Sequence, residues 1–358
     1  MKILQVVTHF DMGGAERIAI NISKSGNQDF EYHIVEVVKG DSSYTPAMMK
    51  ELEENGIRYY CSNISSSKLG ILLFPFRMKK LMEIIHPDVV HVHTEIPDLS
   101  VYLFHKLFPS CRFKLVRTLH NTLLWQSWKS IGEVVERYVQ KERANVSNSL
   151  AVTKAYEENY GSNAGIPLIY NGFAPSEQYS FDGIQESRIN ILFAGRFVPQ
   201  KGLPTLIEVI KKCKLSNIHF HVAGQGPLEV DLKSQLSDLD NVSIIPPISN
   251  LAHYVGAFDY VIITSIHEGL NSLSIEASMN GTPCIVNDID GLNETLPDDW
   301  PLKVQNNSVE QYLTILDKIS EKKEYEVLKA KAYSFVQEHF SIERMQEQYE
   351  LLYKNKSK

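Results

Sequence analysis

Short apolar, β-branched runs alternate with stretches of helical period along most of this chain, and that alternation limits the folds open to it more than any other feature. Lys2–Thr8 reads as a strand, followed by a helix pattern through Ile18, Ile20 and Ile22. Residues 33–38, 57–60, 88–93 and 114–120 read as further strands. Helices are predicted between them over Pro46–Asn55, Pro75–Ile85 and Leu99–Leu107. The pattern resumes at Ile189–Ala194 and continues through runs beginning at His219, Asn241 and Tyr260. Alternation of this kind implies α/β architecture with doubly wound parallel sheets, whose ligands sit beyond the carboxyl ends of the strands.

At 358 residues the chain is long enough for two domains. Residues 173–188 lose periodicity and gather Pro, Ser, Gln and Gly, which predicts an interdomain linker. The expected division is therefore 1–172, a linker over 173–188, a second domain over 189–340, and a polar amphipathic helix within 341–358 packing back on the first domain. With 43% hydrophobic and 22% charged residues, the composition is that of an ordinary soluble protein. No signal peptide is read at Met1, and no apolar run approaches the roughly 20 residues needed to cross a bilayer. Four widely spaced cysteines without a CxxC pair argue against structural zinc and for a reducing compartment. Net charge is −7, unevenly placed: residues 1–172 carry 19 basic against 18 acidic side chains, the remainder 17 against 25. The front half is thus the one suited to an anionic surface, while a nucleic-acid partner would need a far stronger basic excess.

Chemistry concentrates in Thr264–Pro283. A strand, a turn with Glu268, and a helix carrying Glu276 bring two carboxylates beside a helix N-terminus, where backbone amides suit an anion such as a diphosphate. Gly269 permits close approach, and the carboxylates suit hydroxyl donors of a sugar or ribose. The competing reading is a capping glutamate and an ordinary surface glutamate. Arg196 and Lys201 flank a glycine-bounded loop before a helix, an arrangement for gripping two phosphates, against the alternative of two exposed bases in a turn. Their spacing is not that of a P-loop. Gly13 and Gly14 form a second strand-to-helix turn, a weak signal alone. His9, His93 and His120 lie at strand ends, where a structural hydrogen-bonding role competes with catalysis. His91 and His93 have the i, i+2 spacing of metal ligands without a third, and Asp288–Asp290 reads as a turn rather than a metal-binding DxD. Residues 69–85, with Arg77, Lys79 and Lys80, suit either an interfacial helix on an anionic membrane or a core helix with a basic edge. Trp125 and Trp128 extend the same choice, as headgroup anchors or as a grip on an acceptor sugar.

Taken in order, Gly13-Gly14-Ala-Glu-Arg17, Thr118-Leu-His120, Tyr170-Asn-Gly172, Gly195-Arg196 with Lys201-Gly202, and Glu268 with Glu276 in an E-x7-E pattern resemble the retaining glycosyltransferases of family 4 over nearly the whole length. The resemblance implies a GT-B fold of two Rossmann-like doubly wound domains facing a cleft, acceptor in the first and nucleotide sugar in the second. It implies that Arg196 and Lys201 neutralise the donor diphosphate, that Glu276 holds the ribose, and that Glu268 orients the sugar. Gly13, Gly14, Gly269 and residues Leu270, Asn271, Ser272 and Leu273 would complete the donor cradle, with His120 facing the sugar. It also implies retention without a metal or other cofactor, and a UDP-linked hexose or N-acetylhexosamine passed to a lipid-linked saccharide or polysaccharide precursor at the cytoplasmic membrane face. Asn271 and Ser272 depart from the glycine, proline or apolar residues frequent there. A GT-B nucleotide-sugar epimerase and a non-catalytic nucleotide-sugar-binding subunit are the competing readings.

Overall fold

The computed structural model describes residues 1–11, 13–161 and 165–355. Met12 of the Gly-Gly segment, residues 162–164 of the first predicted domain and the last three positions of the 341–358 segment lie outside the described residues. The chain forms two compact units, Met1–Gly172 with Ile342–Lys358, and Phe173–Ser341.

The first unit holds a parallel sheet of β1 (Lys2–Val7), β2 (Glu31–Glu36), β3 (Arg58–Tyr60), β4 (Val89–His93), β5 (Lys114–Leu119) and β6 (Asn145–Ser147), in the order β3-β2-β1-β4-β5-β6. The second holds β7 (Ile189–Arg196), β8 (Ile218–Gln225), β9 (Val242–Ile245), β10 (Tyr260–Ile263), β11 (Cys284–Asn287) and β12 (Lys303–Val304), in the order β12-β11-β10-β7-β8-β9, again parallel. Counted from the start of each unit, the two orders are the same. Strand order therefore reverses between β1 and β4 in one sheet and between β7 and β10 in the other, and these switch points are where an open α/β sheet receives its ligand.

Alternation along the strands builds two faces. Leu4, Val6, Val35, Val90 and Val92 pack with Ile71, Phe74 and Met78 of the helix Ser67–Ile85, while Ile3, Val89, Val116 and Val146 meet Ile18 and Ile22 on the other face. Met345, Tyr349 and Tyr353, four residues apart on the helix Ile342–Lys354, complete that second face.

Several details differ from the sequence reading. The helix expected to start at Pro75 begins at Ser67 and carries Pro75 inside it, because its buried stripe outweighs one lost backbone bond. The run Cys284–Asn287 pairs with β10 and β12 as a full strand. Residues 173–188 are not a free linker. Tyr179 N donates to His253 O at 2.7 Å, Gln178 Nε2 to Ala252 O at 2.7 Å, and the Phe181 ring packs tilted against Phe258 with centroids 5.2 Å apart, all within the second unit.

Trp125 is neither a headgroup anchor nor a sugar grip: it is buried, and its indole Nε1 donates to Glu136 Oε1 at 2.6 Å. Glu136 belongs to a buried ionic cluster. Arg117 on β5 donates from Nε to Asp98 Oδ2 at 2.8 Å and clasps Glu136 with both terminal nitrogens at 2.8 and 2.7 Å. Tyr156 donates to Glu136 Oε2 at 2.7 Å, and Asn145 Oδ1 accepts from Arg117 at 3.2 Å. Arg77, expected on a basic edge, is likewise engaged, donating to the carbonyls of Glu36, Tyr60 and Cys61. Leu69, Leu72, Leu73, Phe76 and Ile84 on the same helix remain exposed. Among the described residues no helix is long and apolar enough to cross a membrane.

Candidate active site

The switch point of the second sheet gathers most of the chemistry. β7 ends at Arg196, a single 3₁₀ turn Pro199–Lys201 follows, and Gly202 opens the helix Leu203–Lys212 with φ +66°. A Cβ at Gly202 would stand 1.8 Å from Thr264 O, so only glycine lets this turn close on the end of β10. Thr264 Oγ1 donates to Lys201 O at 2.8 Å, and Ile266 N to Gln200 O at 2.9 Å. The result is an ion pair, Lys201 Nζ to Glu268 Oε1 at 2.7 Å, with side chains 21% and 9% exposed.

Glu268 is not the helix cap. Asn271 takes that position, its Oδ1 accepting from Ser274 N at 2.8 Å, which gives the polar residue at this departure from the family pattern a structural task. Glycine is required once more at Gly291 (φ +78°), where a Cβ would lie 2.5 Å from Glu268 O. Lys201, Glu268, Leu270, Asn271, Ser272 and Leu273 line a cavity of about 90 Å³ together with Phe193, Ala194 and Ser265. The N–H groups at the start of Ser272–Met279 have no partner within their own helix, so the cavity wall carries amides able to take an anion. Gly269 sits in the turn between Glu268 and this wall. Ser265 was missed by sequence reasoning: it is buried and its Oγ has no partner among the described residues, an orphan hydroxyl on the cavity wall. A serine two residues past a strand at the switch point is the signal that could have found it.

Arg196 and Glu276 do not line that cavity. Arg196 is exposed, and its guanidinium has no hydrogen-bond or ion partner among the described residues. Glu276 is partly buried with no partner for its carboxyl among the described residues, and burial pushes the carboxyl up from 4.5 to about 7. Between those values the folded chain keeps a proton that the unfolded chain has lost, so stability falls as pH rises through this window. Glu276→Gln is neutral throughout. Its gain over the parent is expected to grow from near zero below pH 4.5 to at most about 3 kcal/mol above pH 7, read from hydrogen exchange resolved to β10 and β11 across pH 4–8.

The remaining predicted residues belong to the first unit. Gly13 caps the helix Gly14–Ser23, and the place of its missing Cβ is filled by the carboxylate of Glu16, whose Oε2 would be 2.0 Å away. Gly14 faces open space and is the glycine of the pair with room for a ligand. Glu16, at the third helical position, was not singled out from sequence; it is buried, and burial raises its carboxyl pKa. Thr8 and Thr94, at the ends of β1 and β4, share a hydrogen bond at 2.8 Å across the first switch point. His120 follows β5 and is partly exposed, and burial pushes its imidazole down to about 4. His93 Nδ1 lies 3.1 Å from His120 Nε2, and the ring nitrogens of His91 and His93 are taken by protein partners.

Two sheets of one topology, with a cation–carboxylate pair and a helix N-terminus at the switch point of the second, define a GT-B protein. Sequence comparison narrows the class. The family described as Glycosyltransferase Family 4 matches residues 12–177, and that described as Glycosyl transferases group 1 matches residues 177–335. The chain belongs to the family 4-type glycosyltransferases. An uncharacterized 41.2 kDa protein in the cps region of Klebsiella pneumoniae is 27% identical over 228 residues, 59% of this chain and 63% of that protein, so the chain spans less than two thirds of its length. The capsular polysaccharide biosynthesis glycosyltransferase CapH of Staphylococcus aureus is 23% identical over 304 residues, 80% of each chain. The crystal structure of Anabaena HepE in complex with UDP-glucose matches with a TM-score of 0.73 at 19% identity, covering 98% of this chain and 99% of that one.

Proposed function

We propose that this chain is a retaining glycosyltransferase that moves a hexose or N-acetylhexosamine from a UDP-sugar to a lipid-linked saccharide or cell-surface polysaccharide precursor. The observation that carries this reading is the Lys201–Glu268 pair at a cavity walled by the start of Ser272–Met279, at the switch point of its sheet. In this reading the ammonium of Lys201, the guanidinium of Arg196 and the amides of Ser272 and Leu273 hold the diphosphate and stabilise the charge that grows as the nucleotide leaves. Glu276 accepts from the ribose hydroxyls and Glu268 orients the sugar. The family resemblance gives Gly14 to the donor cradle and His120 the role of accepting from a sugar hydroxyl. Leaving-group phosphate serves as the base, so no side-chain nucleophile and no divalent metal are required. Exposed Leu72, Phe76 and Ile84 beside Lys80 support peripheral contact with an anionic membrane at the cytoplasmic face.

Calorimetric titration with UDP, GDP and a panel of their sugars is expected to show binding by UDP-sugars. Mass spectrometry with extracted lipid-linked glycans should then identify the acceptor, and turnover should survive EDTA. Failure to bind any nucleotide would remove the proposal, and a strict Mg²⁺ requirement would remove its metal-independent part.

A further inference from the structure

Behind His120 lies a polar network sealed inside the first unit. It joins Gln5 on β1, His91 and His93 on β4, and Thr118 on β5 to Tyr349 and Tyr353 of the helix Ile342–Lys354. All six of these side chains are buried. Each link constrains the next. Gln5 Oε1 can only accept, and it lies 2.8 Å from His93 Nε2, which must carry a hydrogen. An uncharged imidazole with hydrogen on Nε2 has a bare Nδ1, so His93 accepts there from His120 Nε2 at 3.1 Å. His120 in turn holds its hydrogen on Nε2 and leaves Nδ1 bare, with no partner among the described residues.

In the other direction, Gln5 Nε2 donates to the Tyr353 oxygen at 3.4 Å, which leaves the tyrosine hydrogen for His91 Nδ1 at 2.7 Å. His91 Nε2 then donates to Thr118 Oγ1 at 2.7 Å, and the Thr118 and Tyr349 hydroxyls share a hydrogen bond at 2.7 Å that either can donate. From His120 through His93 to Gln5 the bonds point the same way, and because an amide and two uncharged imidazoles each offer one role per atom, these links reverse only together, so this stretch holds one tautomer cooperatively. The Gln5 amide is the link that decides direction, and Tyr353 is its partner on the far side.

We propose that Gln5, His93 and Tyr353 are positioning residues that lock His120 in its Nε2–H tautomer and present a bare Nδ1 as the acceptor for a hydroxyl of the donor sugar. The acceptor part rests on the reading of His120 given above; the tautomer part stands independently. His120 is the third histidine of the relay and the one that reaches solvent, so a state set deep in the sheet is read out at the surface. Tyr353→Phe keeps the ring but removes the hydroxyl that pairs with the amide, leaving Gln5 free to turn and offer its NH₂ to His93. His93 would then carry hydrogen on Nδ1, and His120 would be driven to Nδ1–H.

Long-range ¹H–¹⁵N correlation spectra of the histidine rings in the full chain test this directly. The parent is expected to show His120 as a single Nε2–H tautomer, and Tyr353→Phe a mixture of both. Gln5→Met, which removes the amide altogether, should give the same mixture. With a functional donor and acceptor, Tyr353→Phe should lower kcat about two- to tenfold while KM for the nucleotide sugar changes less, since a half-populated wrong tautomer withholds an acceptor without altering phosphate contacts. An Nδ1–H tautomer in the parent, or a single Nε2–H tautomer in both variants, would overturn the lock. A locked tautomer in the parent with parent-level turnover in His120→Ala would instead overturn the sugar contact and leave the lock standing.

Discussion

Lys201→Ala is expected to lower turnover about 10²- to 10³-fold while leaving the fold in place, the scale on which loss of one preorganised charge acts on a transition state. The side chain is held at the end of a turn that closes only because residue 202 is glycine, and its ammonium lies 2.7 Å from Glu268 Oε1. Paired in this way, the two charges neutralise each other. In the proposed reaction, negative charge moves onto the diphosphate as the sugar–phosphate bond breaks, and Lys201 gains an interaction that the ground state lacks. Removing it withdraws that gain and also leaves Glu268 unpaired, a carboxylate facing an anion.

The double variant Lys201→Ala/Glu268→Gln separates these effects. Nucleotide affinity should recover relative to Lys201→Ala, because the repelling charge is gone, whereas turnover should not. Since the pair is partly exposed, its loss should change stability by only about 1 kcal/mol or less, checked by hydrogen exchange resolved to β7 and β10. Parent-level turnover in Lys201→Ala would mean that the diphosphate is held elsewhere.

The largest effect on stability is expected from Arg117→Met. Arg117, Asp98 and Glu136 are sealed from water, and one guanidinium serves two carboxylates. Burial beside a second anion pushes Asp98 up to about 7, whereas Arg117 holds Glu136 below the ordinary glutamate range. Without the cation both carboxylates are left uncompensated in the interior, at a cost of about 3–5 kcal/mol. The loss should be smaller at pH 5 than at pH 8, because at the lower pH both acids can be neutralised by protonation. Hydrogen exchange resolved to β5 and β6 is the suitable measurement, since the chain has two units and a single unfolding midpoint would blend them. Replacing Asp98 and Glu136 by Leu in the same variant should restore much of the loss. Unchanged protection in β5 after Arg117→Met alone would show that packing, not charge, holds this cluster.

Much of the architecture was legible because parallel strands covered on both faces read as unbroken apolar runs, as at Val89-Val90 and Tyr260–Ile263. The phosphate-site candidates after β7 and β10 were legible for a related reason: glycine, base and carboxylate stand where such strands end. What sequence could not deliver was pairing at a distance. Trp125 looks like an interfacial residue until Glu136 is seen eleven positions on, accepting from its indole. Arg117 sits in an apolar strand with nothing nearby to announce its two anions. The capping task of Asn271 and the filling of the Gly13 gap by Glu16 are likewise matters of a few ångströms that residue type does not encode. Pro75 misled in the ordinary way, since proline marks a helix start more often than it lies within one.

The return of Ile342–Lys354 to the first unit has a consequence for synthesis. Ile3, Ile18 and Phe30 leave the ribosome early, yet the side chains that cover them, Met345, Tyr349 and Tyr353, follow only after the entire second unit has been translated. The half made first is thus the half finished last. A nascent or truncated chain that stops short of this helix would expose a bare apolar face and leave His120 without the partners proposed to set its tautomer, so chaperone capture of such chains and a mixed His120 tautomer should appear together.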